Sequence, residues 1–289
     1  MQRKLNGVSM CVCGLSLLIA YGASAADLAI YAGPPNSGWI SAASVARETA
    51  DVEAGLADTF ESMTTFRDGD EVGYDSPLGL WLLDHTSNGV TDVIVLTSGT
   101  MPSALYQFPN VDPDGSRGEE FLDGGNVIVN IADWFGYMSY EGGSRSADNG
   151  PSGAANIFDI PGLSFGSRVN DMVVNDAGRE YLPSLVDFSS ARPWHLEQFA
   201  GTDWTVTTFA DAGPDDADPA VAVNSATGGV VAALMQKDWP DPTDAEDVRG
   251  DIVVEFVNNW LTAQNILSTT AVEADGKAAS TWATIKARR

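Results

Sequence analysis

Two hydrophobic periods alternate along the first half of this chain. Asp27-Leu-Ala-Ile-Tyr-Ala-Gly33 is a continuous apolar run of strand length that ends in glycine. Pro34-Pro35-Asn36-Ser37-Gly38 reads as a tight loop, and from Trp39 to Glu53 the apolar positions Ile40, Ala43, Val45 and Ala46 fall at helical spacing. A short strand is expected over Thr59–Met63. Ser76-Pro77 is a helix start, a capping hydroxyl followed by proline in the first turn. Leu78, Trp81, Leu82 and His85 then share one face before Asn88-Gly89 stops the helix. Asp92-Val-Ile-Val-Leu-Thr97 is a continuous apolar strand of the kind buried on both faces of a parallel sheet, and Asn126-Val-Ile-Val-Asn-Ile-Ala132 is the next strand. A helix over Arg117–Leu122, closed by Gly124-Gly125, separates them.

The second half is less regular. Residues 141–162 are rich in Gly, Ser and Asn and read as a long surface excursion. Strands are expected over Val169–Val174, Trp204–Phe209, Val221–Asn224 and Gly229–Met235, the last two joined by Ser225-Ala-Thr-Gly228 as a hairpin at the sheet edge. From Asp247 onward Ile252, Val253, Phe256, Val257, Trp260 and Leu261 form one apolar stripe, the core face of a closing helix. Residues 263–289 read as a polar tail with a basic end and a single anchor, Trp282. The alternation of strand and helix predicts an α/β fold: a doubly wound, mostly parallel sheet with an antiparallel edge hairpin, in one domain over residues 26–262.

Ahead of that domain, residues 1–25 have the three parts of a cleavable signal peptide. Arg3 and Lys4 supply the charge, Val8–Ala20 the apolar core, and Ala23-Ser24-Ala25 the small-residue cleavage site. The apolar core is short for a membrane span, which needs about 20 residues. Cys11 and Cys13 lie early in this apolar stretch rather than after it, which rules out a lipidated cysteine at its end. Cleavage near Ala25/Ala26 predicts a secreted or periplasmic protein without cysteine. It moves the formal charge from −25 to −27, because Arg3 and Lys4 are the only charges removed. A surface this acidic repels nucleic acid and anionic lipid, so both are set aside as partners once the leader is gone. Oligomeric state is not legible.

Candidate chemistry is sparse. The mature chain has two histidines. His85 lies among leucines and reads as a boundary histidine. His195, in Arg192-Pro193-Trp194-His195-Leu196-Glu197, has the residue types of a base and its orienter, or of two metal ligands. The competing reading is structural, with Arg192 paired and Trp194 packed. Asn110–Ser116 spaces oxygens as a calcium loop does, but Phe121 stands where the bidentate glutamate is required, so it reads as a turn into a capped helix. Pro214–Pro219 reads as a solvated acidic turn. Gly162-Leu-Ser164-Phe-Gly166 has the letters of a nucleophile elbow without a preceding strand. No metal site and no cofactor motif is expected.

The order of elements over Asp92–Gly99, Gly125–Tyr140 and Gly228–Leu261 resembles the class I glutamine amidotransferase-like superfamily, nearest its trehalose-utilisation-type (ThuA-like) branch and related exported proteins. The resemblance implies a flavodoxin-like sheet with its site at the carboxyl ends of the strands. It also implies a cysteine on the turn that is here Ile131–Phe135, and a histidine and glutamate where Gln236-Lys237-Asp238-Trp239 stands. All three are replaced, so glutamine hydrolysis is not expected. Ligands of open α/β sheets bind beyond the carboxyl ends of the strands. That places Asn36, Ser37, Ser98, Thr100, Trp134, Gln236 and Trp239 on one rim as ligand-binding residues, with Asp133, His195 and Asp238 as catalytic candidates. Carboxylate, amides, hydroxyls and indoles together suit a small polar ligand or glycan. The leading expectation is a binding or accessory module. The alternatives are a hydrolase or sugar-modifying enzyme using Asp133 with His195 or Asp238, and a surface protein that docks through its tail.

Overall fold

The computed structural model describes residues 26–166 and 170–267. The expected leader, the residue Val169 and most of the expected tail, with Trp282, lie outside the described residues. The core is a seven-stranded sheet. Its strands are β1 (Asp27–Ala32), β2 (Ser62–Arg67), β3 (Val93–Leu96), β4 (Val127–Ile131), β5 (Trp204–Thr208), β6 (Ala220–Asn224) and β7 (Val230–Leu234). They lie side by side in the order β5-β6-β7-β4-β3-β1-β2. The five strands from β2 to β7 run parallel, while β6 and β5 add an antiparallel pair at one edge. The β6–β7 hairpin is present as expected, but β7 lies inside the sheet, paired in parallel with β4, and β5 forms the edge.

The helices are α1 (Ala42–Gly55), α2 (Pro77–His85), α3 (Arg117–Asp123), α4 (Pro151–Ile157), α5 (Asp176–Tyr181) and α6 (Arg249–Glu255). Two cores explain why the strands are apolar without alternation. On one face Leu28, Ile30, Val93, Val95, Val127 and Val129 pack against Val45 and Val52 of α1 and Ile252 and Val253 of α6. On the other Ala29, Tyr31, Ile94, Leu96 and Ile128 meet Leu78 and Leu82 of α2, Phe121 of α3, and Ala154 and Ile157 of α4. The architecture is therefore mixed α/β around a mostly parallel sheet.

Local chemistry starts the helices where expected. Ser76 accepts from Gly79 N at 3.1 Å with Pro77 at the first position, and Ser116 and Glu119 form a reciprocal capping box. Asp112 in the calcium-like loop accepts instead from the Tyr74 hydroxyl at 2.6 Å. The first helix begins later than its periodicity suggests, at Ala42 behind Ser41, because Trp39 and Ile40 belong to the loop after β1.

Three expectations change. β2 lies further along the chain, over Ser62–Arg67. The Gly-, Ser- and Asn-rich excursion carries α4, whose Ala154 and Ile157 are core residues. The acidic run Pro214–Pro219 is a solvated turn only at Pro214 and Asp215, and from Asp216 it is buried. Asp216–Ala217 is the second strand of a five-stranded sheet ordered Trp194–His195, Asp216–Ala217, Ala210–Ala212, Asn170–Val174, Phe188–Ser190. Asp218 is wholly buried within that run.

Candidate functional site

The parallel strands deliver four loops to one end of the sheet: Gly33–Ile40 after β1, Thr97–Thr100 after β3, Ala132–Phe135 after β4 and Met235–Trp239 after β7. Hydrogen bonds weave them together. Asn36 Nδ2 donates to Asp133 Oδ2 at 3.0 Å, and Asp133 Oδ1 accepts from Trp134 N at 2.7 Å. Asn130 Nδ2 donates to the Asp133 carbonyl at 2.9 Å. Gln236 is fully buried; its Oε1 accepts from Phe135 N at 2.9 Å and its Nε2 donates to the Arg192 carbonyl at 2.8 Å. Trp239 N donates to the Trp39 carbonyl at 3.0 Å. Ser98 and Thr100 are buried, their hydroxyls 2.9 Å apart, with Thr100 Oγ1 donating to the Pro34 carbonyl at 3.0 Å. Ser37 is exposed at the tip of the first loop.

The backbone turns sharply at two of these strand ends. Ala132 follows β4 with φ 69° and Met235 follows β7 with φ 55°. Left-handed backbone at residues with a Cβ is uncommon and costs roughly 1–2 kcal/mol each. Both lie directly before the candidate side chains of Asp133 and Gln236. Gly99 presses on the first turn, since a Cβ there would stand 2.5 Å from the Ile131 carbonyl oxygen and 2.6 Å from Asp133 N.

Above the loops lies an aromatic and cationic layer. The Arg192 guanidinium sits over the indoles of both Trp39, at 5.4 Å, and Trp134, at 5.1 Å. Trp134 packs at 4.4 Å on Tyr137, and Lys237 Nζ sits 4.3 Å above the Trp239 ring. The expected structural role of Arg192 is thereby corrected in detail: it stacks between two indoles and has no carboxylate partner among the described residues, whereas Trp194 is packed as expected. Arg192 Nε and Trp134 Nε1 are buried donors without a hydrogen-bond acceptor among the described residues. Leaving such a group unsatisfied costs about 1–3 kcal/mol. Beside this layer a cavity of about 340 Å³ opens between Gly33-Pro34-Pro35, the start of α1, and Arg67 and Asp68 at the end of β2.

Asp218 supports the rim from beneath. Its Oδ2 accepts from Ser190 Oγ at 2.6 Å and Gln236 N at 2.8 Å. Burial pushes its carboxyl up to about 7, with those donors pulling the other way. Its Oδ1 is buried without a hydrogen-bond partner among the described residues.

Of the catalytic candidates, Asp133 is buried in the centre of the rim. His195 is buried in the five-stranded sheet opposite Asp216, with Gly166 against its ring. Asp238 is exposed beside Lys237. The described hydrogen bonds assemble Asn36, Asp133 and Trp134 with the Gln236 loop, and include no bond between the side chains of Asp133 and Asp238. Sequence reasoning missed Trp39 and Arg192 as rim residues, while Lys237 lies within the Gln236–Trp239 segment that it placed there. A bulky indole in the polar loop Pro35-Asn-Ser-Gly-Trp39 was the available signal. Arg192 gave none, because its indole partners are distant in sequence. His85 bridges the Trp81 carbonyl at 2.6 Å and Asp27 Oδ2 at 3.1 Å, at the opposite end of β1. Among the described residues no cluster of His, Cys, Asp and Glu could hold a metal ion, and no helix is long and apolar enough to cross a membrane. No protein-family model and no curated protein matches the chain.

Proposed function

We propose that this protein is an exported, extracytoplasmic binding or accessory module for a saccharide or similar small polar ligand. The observation that carries the reading is the rim itself. Half-buried indoles of Trp39, Trp134 and Trp239 lie beside the hydrogen-bonded Asn36–Asp133 pair. Aromatic faces stack on the apolar face of a sugar ring, and an amide beside a carboxylate receives its hydroxyls. The strand order with helices on both faces supports reading the fold as doubly wound and amidotransferase-like. That remains an analogy of fold, and function follows from the site. Ala132 occupies the left-handed position of the turn after β4, so that position offers no nucleophile. The charged, apolar and small-residue parts of residues 1–25 support export.

The test is isothermal titration of the mature chain against a panel of neutral and acidic oligosaccharides, with product analysis of each mixture. Binding without product is expected, weakened at least tenfold in Trp134→Ala. No binding across the panel overturns the reading. Product formation that disappears in Asp133→Asn would make the site catalytic.

A further inference from the structure

The cations of this acidic chain are unevenly committed. Fifteen lysines and arginines face forty aspartates and glutamates, so an unpaired cation is unexpected anywhere on the surface. Among the described residues Arg47, Arg117, Arg179 and Arg249 all pair with carboxylates. Arg67, Arg192 and Lys237 do not, although Asp68 and Asp238 are their sequence neighbours. All three lie at the carboxyl end of the parallel strands: Arg67 ends β2 and lines the cavity, Lys237 follows β7, and Arg192 sits on Trp39 and Trp134. Lys237 is the one lysine among the described residues.

Arg192 is also held in place. Its carbonyl accepts from Gln236 Nε2 at 2.8 Å, its neighbour Ala191 donates to the Gln236 carbonyl at 3.1 Å, and its Nη1 donates to the Ala191 carbonyl at 2.7 Å. The described hydrogen bonds leave Nη2 unused. A guanidinium fixed between two indoles, with one fork nitrogen free, is preorganised for an anion that arrives with a ring.

Resting on the saccharide-binding reading above, we infer that the ligand of this rim is an anionic saccharide. Its carboxylate or sulfate is received by Arg192 and Lys237 while its ring stacks on Trp134 or Trp39 and its hydroxyls reach Asn36, which Asp133 holds in place. The remote negative surface does not prevent this, because at physiological salt charges more than about 8 Å away are largely screened.

The experiment is titration calorimetry at 0.15 M salt with tri-uronates of galacturonate, glucuronate, mannuronate and guluronate, each beside its carboxyl-reduced neutral counterpart, and with a sulfated galactan oligosaccharide. At least one acid is expected to bind tenfold or more tightly than its reduced form. Lys237→Gln and Arg192→Gln should each remove most of that preference, read within each variant as the ratio of its affinities for the acid and the reduced form. Tighter binding of the sulfated oligosaccharide than of any uronate would identify sulfate as the anion. Acid and reduced forms binding alike would overturn this inference and leave the saccharide reading standing. No binding of any form would overturn both. A preference that survives in Lys237→Gln, which lies on the surface and does not threaten the fold, and also in Arg192→Gln would remove the anion from this rim and overturn the inference.

Discussion

At the scale of single residues, the rim depends on backbone that most side chains disfavour. Ala132 holds φ 69° between the last residue of β4 and the buried Asp133. It is kept there by the loop after β3, which passes so close that position 99 has room only for hydrogen. Gly99 itself has φ 69°, and a Cβ would meet the Ile131 carbonyl, Asp133 N and Asp133 Cβ within 2.9 Å. Two of those contacts are backbone and have no side-chain rotamer to yield. Gly99→Ala is therefore expected to combine overpacking with left-handed strain and to destabilise the protein by about 3 kcal/mol. In a chain of this size that lowers Tm by roughly 5–10 °C. A thermal midpoint within about 1 °C of the parent would show that the two loops can part freely. None of this was legible in Ser98-Gly99-Thr100, where glycine reads only as a turn residue; the requirement comes from a loop more than thirty positions away.

At the scale of elements, legibility followed how local the cause was. β1, β3 and β4 were readable because burial on both faces leaves predominantly apolar runs of strand length, Leu28–Ala32, Val93–Leu96 and Val127–Val129. α2 and α3 were readable because their caps lie within three residues. The strand Asp216–Ala217 was not. Its acids belong inside only because Asn170 Nδ2 reaches Asp216 Oδ2 at 2.7 Å, and Ser190 and Gln236 reach Asp218. The closing helix gave its stripe to the sequence but not its change of pitch. From Phe256 to Leu261 it widens to a π-helix, where Phe256 stacks on Trp260 at 5.3 Å. Its start is pinned by Arg249, fully buried, which holds Asp247 through Nε at 2.8 Å and Nη2 at 2.7 Å and reaches the Trp39 and Trp239 carbonyls that carry the rim indoles. Glu48 of α1 joins this cluster by accepting from Gly250 N at 2.6 Å. Burial pushes its carboxyl up to about 8, with Asp247 adding to the rise. A carboxyl raised in the folded state binds its proton more tightly there than in the unfolded chain. Its stabilisation is thus complete below about 4.5 and is lost as pH climbs through 8. Asp218 acts in the same sense but has finished by about pH 7. Urea midpoints of the parent should therefore still fall between pH 7 and 8, and Glu48→Gln, which keeps an acceptor for Gly250, should flatten that interval. An unchanged slope in the variant would assign the loss to another group.

At the scale of the whole molecule, the dominant quantity is charge. The chain carries −25, and Arg47, Arg117, Arg179 and Arg249 are already neutralised by local carboxylates. The remaining acids repel one another across the surface, a destabilisation spread over distances comparable with the Debye length. Salt acts on those exposed, long-range terms far more than on Arg249–Asp247 or on the buried Asn36–Asp133 pair. Raising sodium chloride from about 0.02 M to 0.5 M shortens the Debye length from roughly 20 Å to roughly 4 Å. The fold should become more stable, and Tm should rise by several degrees at pH 8. The gain should shrink as pH falls toward 4, where the exposed carboxylates discharge. Potassium chloride at equal ionic strength should give the same curve, because screening is indifferent to the cation. A Tm that stays flat with salt at pH 8 would mean that the carboxylates are spaced widely enough not to interact. A rise with one cation alone would instead place a specific cation on the surface. Under the screening account, Arg192 and Lys237 stand out all the more: in a molecule that benefits from every neutralised charge, they have no carboxylate partner among the described residues.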